Sequence, residues 1–190
     1  MNLLWNRTHP TTVSYSESIN KDLFMKKMFS LLLVIIMGVF FLTATSQAKN
    51  PQWKKFNEGL ALAKKSGKKV LVDVYTDWCG WCKTMDTSTY TDRRVQQYLR
   101  KNYVVIKLNA EGDEKLSYSG QTITPPEFAQ GMGINGYPAT LFLQSDGKPI
   151  TVLPGYSEAD MFLHVLSFIG ENHYEKKKFA DYLAEKGVKR

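Results

Sequence analysis

The sequence predicts an α/β layered domain, on three observations. Its apolar positions switch between helical and strand spacing in the order helix–strand–helix–strand–helix–strand–strand–helix. The run Lys69 to Tyr75 (Lys-Val-Leu-Val-Asp-Val-Tyr) is β-branched and apolar, as a buried central strand is. A Ser145-Asp146-Gly147-Lys148 turn joins two later strands into an antiparallel hairpin. Hydrophobic residues make up 43% of the 190, enough to bury a core and too many for global disorder.

Taken in order, residues 51–66 predict a helix, with Trp53, Phe56, Leu60 and Ala63 on one apolar face and Ser66-Gly67 as its end. The strand Lys69 to Tyr75 follows. Residues 80–101 return to helix, with Met85, Val95, Tyr98 and Leu99 available for the core. Tyr103 to Leu108 is a second strand, parallel to the first because a helix connects them. Residues 109–123 are polar and contain glycine, which predicts a surface loop. Thr124-Pro125-Pro126-Glu127 is a helix start, with Thr as cap, Pro in the first turn and Glu three residues on. That helix stops near Gly131. Ala139 to Leu143 and Ile150 to Leu153 are the hairpin strands. Ser157-Glu158-Ala159-Asp160 opens a helix with Met161, Phe162, Val165, Leu166 and Ile169 inward. Residues 172–186 predict an extra C-terminal helix that docks through Tyr174, Phe179, Tyr182 and Leu183.

The N-terminal region divides differently. Met25-Lys26-Lys27, an apolar run from Met28 to Leu42 and a small-residue Ser46-x-Ala48 site together predict a signal peptide over 25–48. Residues 1–24 are then an extension ahead of the true initiator, or disordered chain. The domain proper is 49–172, with 173–190 a helical appendage. The alternative is an uncleaved N-terminal membrane anchor, although 15 apolar residues are few for a span. Export, to a periplasmic compartment, implies oxidising surroundings. From Lys49 onward there are 21 basic residues against 16 acidic, a net +5, scattered as pairs and one triplet. Such pairs read as solvated helix faces and not as a nucleic-acid surface.

Cys79-Gly80-Trp81-Cys82 carries the chemistry. These are the chain's only two cysteines, placed just after the first strand. On the first turn of a helix, such a pair can open and close a disulfide without unfolding anything. The helix N-terminus stabilises a thiolate there, so Cys79 is expected at an exposed helix start with a lowered pKa. Its thiolate attacks a target disulfide, and Cys82 then resolves the mixed disulfide. A static staple is the plainer alternative, but so small a loop gains little entropy. A metal site would lack ligands beyond two thiolates, so no metal and no cofactor beyond the Cys79–Cys82 disulfide is expected. Asp73, flanked by Val72 and Val74, is expected to be buried with a raised pKa and to exchange a proton with Cys82 through water. The alternative is an outward-facing strand residue. Pro138 lacks an N–H and leaves the Tyr137 amide and carbonyl free to bind a substrate backbone.

The stretch from Val70 to Lys83, with its acid six residues before the first Cys, its Trp78 directly before it and its Lys83 after the second, resembles the thioredoxin superfamily. A second block, Gly133-Ile134-Asn135-Gly136-Tyr137-Pro138-Ala139-Thr140, is similar to the family's Gly-Ile-x-Gly-x-Pro segment, 56 residues from Cys82 to Pro138. The resemblance covers roughly residues 50–170. It implies a thioredoxin fold, a central mixed sheet of four to five strands flanked by helices. It implies a cis Pro138 facing the cysteines, a Trp78 packed beneath the loop, and a Lys107 paired with Asp73. Trp81 stands where thioredoxins usually carry Pro, and Thr87 replaces a kinking Pro, which predicts a straighter helix. His164 and His173 receive no role.

Tyr75-Thr-Asp-Trp-Cys79 and the following Asp86-Thr-Ser-Thr-Tyr90-Thr-Asp-Arg-Arg-Val95 further resemble exported thioredoxin-like domains similar to the C-terminal part of DsbD. The function this implies is an exported oxidoreductase that reduces or isomerises protein disulfides. The expected substrate-binding residues are Trp78, Gly80, Trp81, Tyr137 and Pro138. The expected partners are disulfide-containing clients and a membrane-embedded electron donor, with the protein a monomer. The alternatives are a disulfide-forming oxidase of the same fold and a non-catalytic client-binding module.

Overall fold

The run from Val70 to Val74 is buried along its whole length and forms the middle of the sheet. The structure, a computed structural model, describes residues 24–33 and 51–188. Residues 24–33 are helical (α1), with exposed side chains. The rest of the expected extension and signal peptide, residues 1–23 and 34–48, lies outside the described residues. Among the described residues no helix is long and apolar enough to cross a membrane.

From residue 51 the elements run α2 (Phe56–Ser66), β1 (Lys69–Tyr75), α3 (Gly80–Thr87), α4 (Arg93–Asn102) and β2 (Tyr103–Asn109). Then come β3 (Leu116–Tyr118), β4 (Gln121–Ile123), α5 (Pro125–Gly131), β5 (Ala139–Leu143) and β6 (Pro149–Pro154). The chain closes with α6 (Ala159–Gly170), a 3₁₀ turn (His173–Glu175) and α7 (Phe179–Glu185). The sheet order is β2-β1-β5-β6. β1 lies parallel to β2 and antiparallel to β5, which pairs antiparallel with β6. This mixed four-stranded sheet with helices around it is the thioredoxin fold.

β1 is apolar on both faces because each face is covered. Val70, Val72 and Val74 pack with Phe56, Ile106, Phe128 and Leu141, under α2 and α5. Leu71 packs on the other face with Met85, Leu99, Phe142, Phe162 and Leu166, under α3, α4 and α6. At Gly59 a Cβ would collide with the Ile106 side chain, so α2 lies against β2 only because that position is glycine.

Several boundaries differ from the sequence expectation, each for a local reason. The first helix begins at Phe56, not at residue 51. Lys54 is extended and forms a parallel bridge with Ile106. Its N–H donates to the Val105 carbonyl (2.9 Å), and the Lys107 N–H donates to the Lys54 carbonyl (3.2 Å). The outer edge of β2 needs backbone partners, and this short segment supplies them. The expected loop at 109–123 contains the β3–β4 hairpin, with Leu116 fully buried in the core. The predicted capping box is present: Thr124 Oγ1 accepts from the Glu127 N–H, and the Glu127 carboxylate accepts from the Thr124 N–H. The C-terminal helix expected at 172–186 is a 3₁₀ turn followed by α7. Tyr182 and Leu183 are buried, and the Phe179 and Tyr182 rings lie 5.1 and 5.4 Å from that of Phe168 on α6.

The expected straight helix over 80–101 is broken between Thr87 and Arg93. The hydroxyls of Thr87, Ser88 and Thr91 donate to carbonyls three or four residues back, which competes with helix propagation. Asp92 then starts α4, its carboxylate accepting from the N–H groups of Arg94 and Val95. The Arg94 guanidinium beside it, with those two amides, holds the Asp92 carboxyl down at about 2. Asp92→Ala should lower stability by about 1 kcal/mol at neutral pH. Because the folded-state pKa is depressed, the wild-type advantage should vanish as pH falls from about 4 through the folded value. Denaturation midpoints of both proteins across that range check both points.

Candidate active site

β1 ends at Tyr75, and Cys79 becomes the N-cap of α3. Cys79 and Cys82 form a disulfide. The Cys82 N–H donates to Cys79 Sγ at 3.0 Å, so the sulfur sits on the helix N-terminus, as the sequence predicts. The sequence also predicts an exposed Cys79. In the structure Cys79 and Cys82 are both buried, at 3% and 4% exposure.

The two tryptophans lie outside. Trp78, expected beneath the loop, is 68% exposed, and Trp81 is 62% exposed. Trp78 Nε1 donates to the Glu111 carboxylate (2.9 Å) from the loop after β2. Its ring meets Tyr137 edge-on, with centroids 6.0 Å apart. The two sequence blocks that carried the resemblance are therefore adjacent. Trp81 stacks at a tilt on Tyr156, 5.3 Å away, and the Tyr156 hydroxyl lies 3.3 Å from Ser88 Oγ. Aromatic pairs thus flank the disulfide. A Cβ on the exposed Gly80 would meet nothing. The Tyr137–Pro138 bond is cis. The loop hydrogen bonds use the Pro138 carbonyl, which accepts from the Gly155 N–H, and among the described residues include none to the Tyr137 amide or carbonyl.

A charged cluster joins β1 and β2 to α3, the helix that carries the disulfide. Asp73 is 2% exposed, and Lys107 Nζ donates to its Oδ2 at 2.9 Å. The two residues face each other directly across the parallel β1–β2 ladder. Lys107 also bonds the Asp86 carboxylate. Asp86 is one turn along α3 from Cys82, so the ammonium ties the strand acid to the helix that carries the thiols. The ring centroids of Tyr75 and Trp53 lie 5.0 and 5.1 Å from the same ammonium. Burial pushes the Asp73 carboxyl above its usual range, and Lys107 pulls it back only part of the way. For Lys107, burial lowers the pKa, but the two carboxylates outweigh it and the net shift is upward.

The sequence therefore located Cys79, Cys82, Asp73, Lys107, Tyr137 and Pro138 in one neighbourhood. Asp86, Trp53, Tyr75 and Tyr156 were not assigned there. Asp86 had a legible signal, its one-turn spacing from Cys82 on the same helix. Tyr156 had none, because only the β5–β6 hairpin brings it to α3. His164 and His173 lie elsewhere, near Tyr182. Among the described residues no group of acids, histidines and cysteines is arranged to hold a metal.

Residues 56–170 match the family model described as a thioredoxin-like domain. The chain is similar to the thiol:disulfide interchange protein DsbD of Actinobacillus pleuropneumoniae serotype 5b (strain L20), with 32% identity over 108 residues. That match takes in 56% of this chain and 17% of the relative, so the chain spans only a small part of the curated proteins it matches. A candidate disulphide-isomerase of Bacteroides thetaiotaomicron, solved in solution, superposes with a TM-score of 0.54 at 26% identity. That superposition covers 70% of this chain and all of the other (100%). A thioredoxin-fold protein from Helicobacter pylori gives a TM-score of 0.55 at 22% identity, over 64% of this chain and 80% of that one, which shows the fold.

Proposed function

This chain belongs to the thioredoxin-like domain family, and from that membership we propose that it is an exported thiol–disulfide oxidoreductase that reduces or isomerises protein disulfides. The observation that carries the proposal is Cys79 Sγ at the start of α3, accepting the Cys82 N–H. A helix start favours negative charge on that sulfur once the disulfide opens. The Cys79 thiolate attacks a client disulfide. One S–S bond forms to Cys79, the client's own bond breaks, and the departing client sulfur takes a proton from water. Cys82 then yields its proton to Asp73 and attacks Cys79 Sγ. The mixed disulfide breaks, the second client thiol leaves, and the client has gained two electrons while the Cys79–Cys82 pair is oxidised.

Trp78, Gly80, Trp81, Tyr137 and Pro138 would hold the client. The open surface over Gly80 admits a peptide backbone, and the unused Tyr137 amide and carbonyl offer it strand-like bonds. A membrane-embedded electron donor would restore the dithiol, in keeping with the likeness to DsbD, and the protein would act as a monomer in the periplasm.

Equilibrating the protein with glutathione buffers tests the direction of electron flow. A reductase should settle near about −270 mV, whereas a value near about −120 mV would turn the assignment to a disulfide-forming oxidase.

A further inference from the structure

The site contains two buried hydroxyls that the mechanism above does not use. Asp73 pairs across the ladder with Lys107 on one side and with Thr140 on the other. The three residues form a polar row across an otherwise apolar face, continuing the layer of Leu71 and Phe142. Thr140 is fully buried, and its Oγ1 has no hydrogen-bond partner among the described residues. Tyr90, just past α3, is 1% exposed, and its hydroxyl is likewise without a geometrically good partner. Its ring is wedged between Trp53 (4.9 Å) and Phe162 (5.6 Å), both edge-on, which fixes where the phenol points. The Asp73 carboxyl and the Thr140 hydroxyl both act on the acidity of the phenol, which puts them in its surroundings.

A buried hydroxyl without a partner has lost its hydration with nothing in exchange, which costs stability. A leucine or phenylalanine in either place would avoid that cost. Two such hydroxyls facing the same carboxyl make sense together if that carboxyl is their partner for part of the reaction cycle. When Asp73 is ionised it is acceptor-only and can take both O–H groups. When it is protonated it needs one acceptor, which Thr140 Oγ1 or the phenol oxygen supplies.

Resting on the exchange reading above, we propose that the Tyr90 and Thr140 hydroxyls position the Asp73 carboxyl as the proton acceptor for Cys82. Lys107, which also bonds Asp86 on α3, approaches Asp73 from the β2 side. Thr140 lies on the opposite side, on β5, so polar groups stand on both strands that flank the carboxyl. In the resolving step the Cys82 S–H bond breaks and an O–H bond forms on Asp73. The Cys82 thiolate then displaces the client sulfur from Cys79. The hydroxyls stabilise the carboxylate that receives the proton, and Asp86 and Lys107 set the surrounding charge.

The test uses Tyr90→Phe and Thr140→Val in the full chain, both close in shape to the wild type. The Asp73 carboxyl is titrated directly by carbon NMR in the reduced protein. Loss of the phenol donor should raise its midpoint by about one pH unit. An unchanged midpoint in both variants overturns the assignment.

Exchange is read separately with an aromatic disulfide that releases one coloured thiol when Cys79 attacks and a second when Cys82 resolves. The first release should be unaltered, and the pH profile of the second should move with the Asp73 midpoint. In an Asp73→Asn background Tyr90→Phe should no longer move that profile. A shift of the same size there also overturns the assignment, because the hydroxyl would then act without Asp73. If the wild type gives no second release, the exchange reading fails, and the Asp73 titration still decides whether the hydroxyls hold the carboxyl.

Discussion

Insulin disulfide reduction should fall to the uncatalysed background in Cys79→Ser, a loss of more than about 10³-fold. The hydroxyl of serine does not ionise at neutral pH, so the helix start has no anion to stabilise and no sulfur to carry the mixed disulfide. Cys82→Ser behaves differently. It still attacks but cannot resolve, so clients accumulate covalently on Cys79. A non-reducing gel of each variant after mixing with an oxidised client separates the two. Full insulin-reducing activity in Cys79→Ser would abolish the enzyme reading and leave a client-binding module. Both variants should fold, because the bridge between Cys79 and Cys82 closes only a short loop and adds little to stability.

Lys107→Met should be the most destabilising single change at the site. It keeps the apolar stem and removes the ammonium that serves two carboxylates. Breaking a fully buried pair costs about 3–5 kcal/mol. Asp86 is 37% exposed and Lys107 22%, so solvent screening reduces the expected loss to about 2 kcal/mol at neutral pH. The sign with pH follows from Asp73. Its folded-state carboxyl already lies above the usual value, so the folded protein is favoured by acid and loses stability as pH rises through the folded pKa. Without Lys107 the carboxyl lies higher still. The deficit of the variant should therefore be small below about pH 4 and widen toward neutrality. Urea denaturation at several pH values checks this. A deficit that stays constant with pH would mean that Lys107 contributes by packing and by its contacts with Trp53 and Tyr75, not by charge.

The central strand, the hairpin and the cysteine pair at a helix start were legible because each rests on neighbours in sequence. A β-branched run, an Asp-Gly turn and a pair of cysteines two residues apart declare themselves locally. The Thr124–Glu127 capping box was equally local. What escaped the sequence was set by distant partners. Trp53 and Lys54 read as helix because Trp53 keeps helical spacing with Phe56, yet the exposed backbone of β2 draws them into an extended bridge. The helix break at Thr87 was hidden because three hydroxyls, each tolerable alone, act together and a capping Asp92 follows. Leu116 looked like one apolar residue in a polar loop until the hairpin carried it into the core. At the site, Asp73 was legible from its place in the apolar run, and Lys107 was found through the resemblance. Tyr156 and the face of Tyr90 exist only after α3, β5 and the following hairpin have met.

The margins of the sheet bear on how such a protein survives its own clientele. Unpaired strand edges recruit other chains, and extended, partly folded polypeptides are the material a disulfide-exchange protein would encounter. On one margin Lys54 occupies β2. On the other, β6 begins at Pro149 and ends at Pro154, both exposed, where a missing N–H interrupts any incoming ladder. With its two flanks blunted, the sheet offers an incoming strand little free edge and is expected to be a poor template for fibrillar growth.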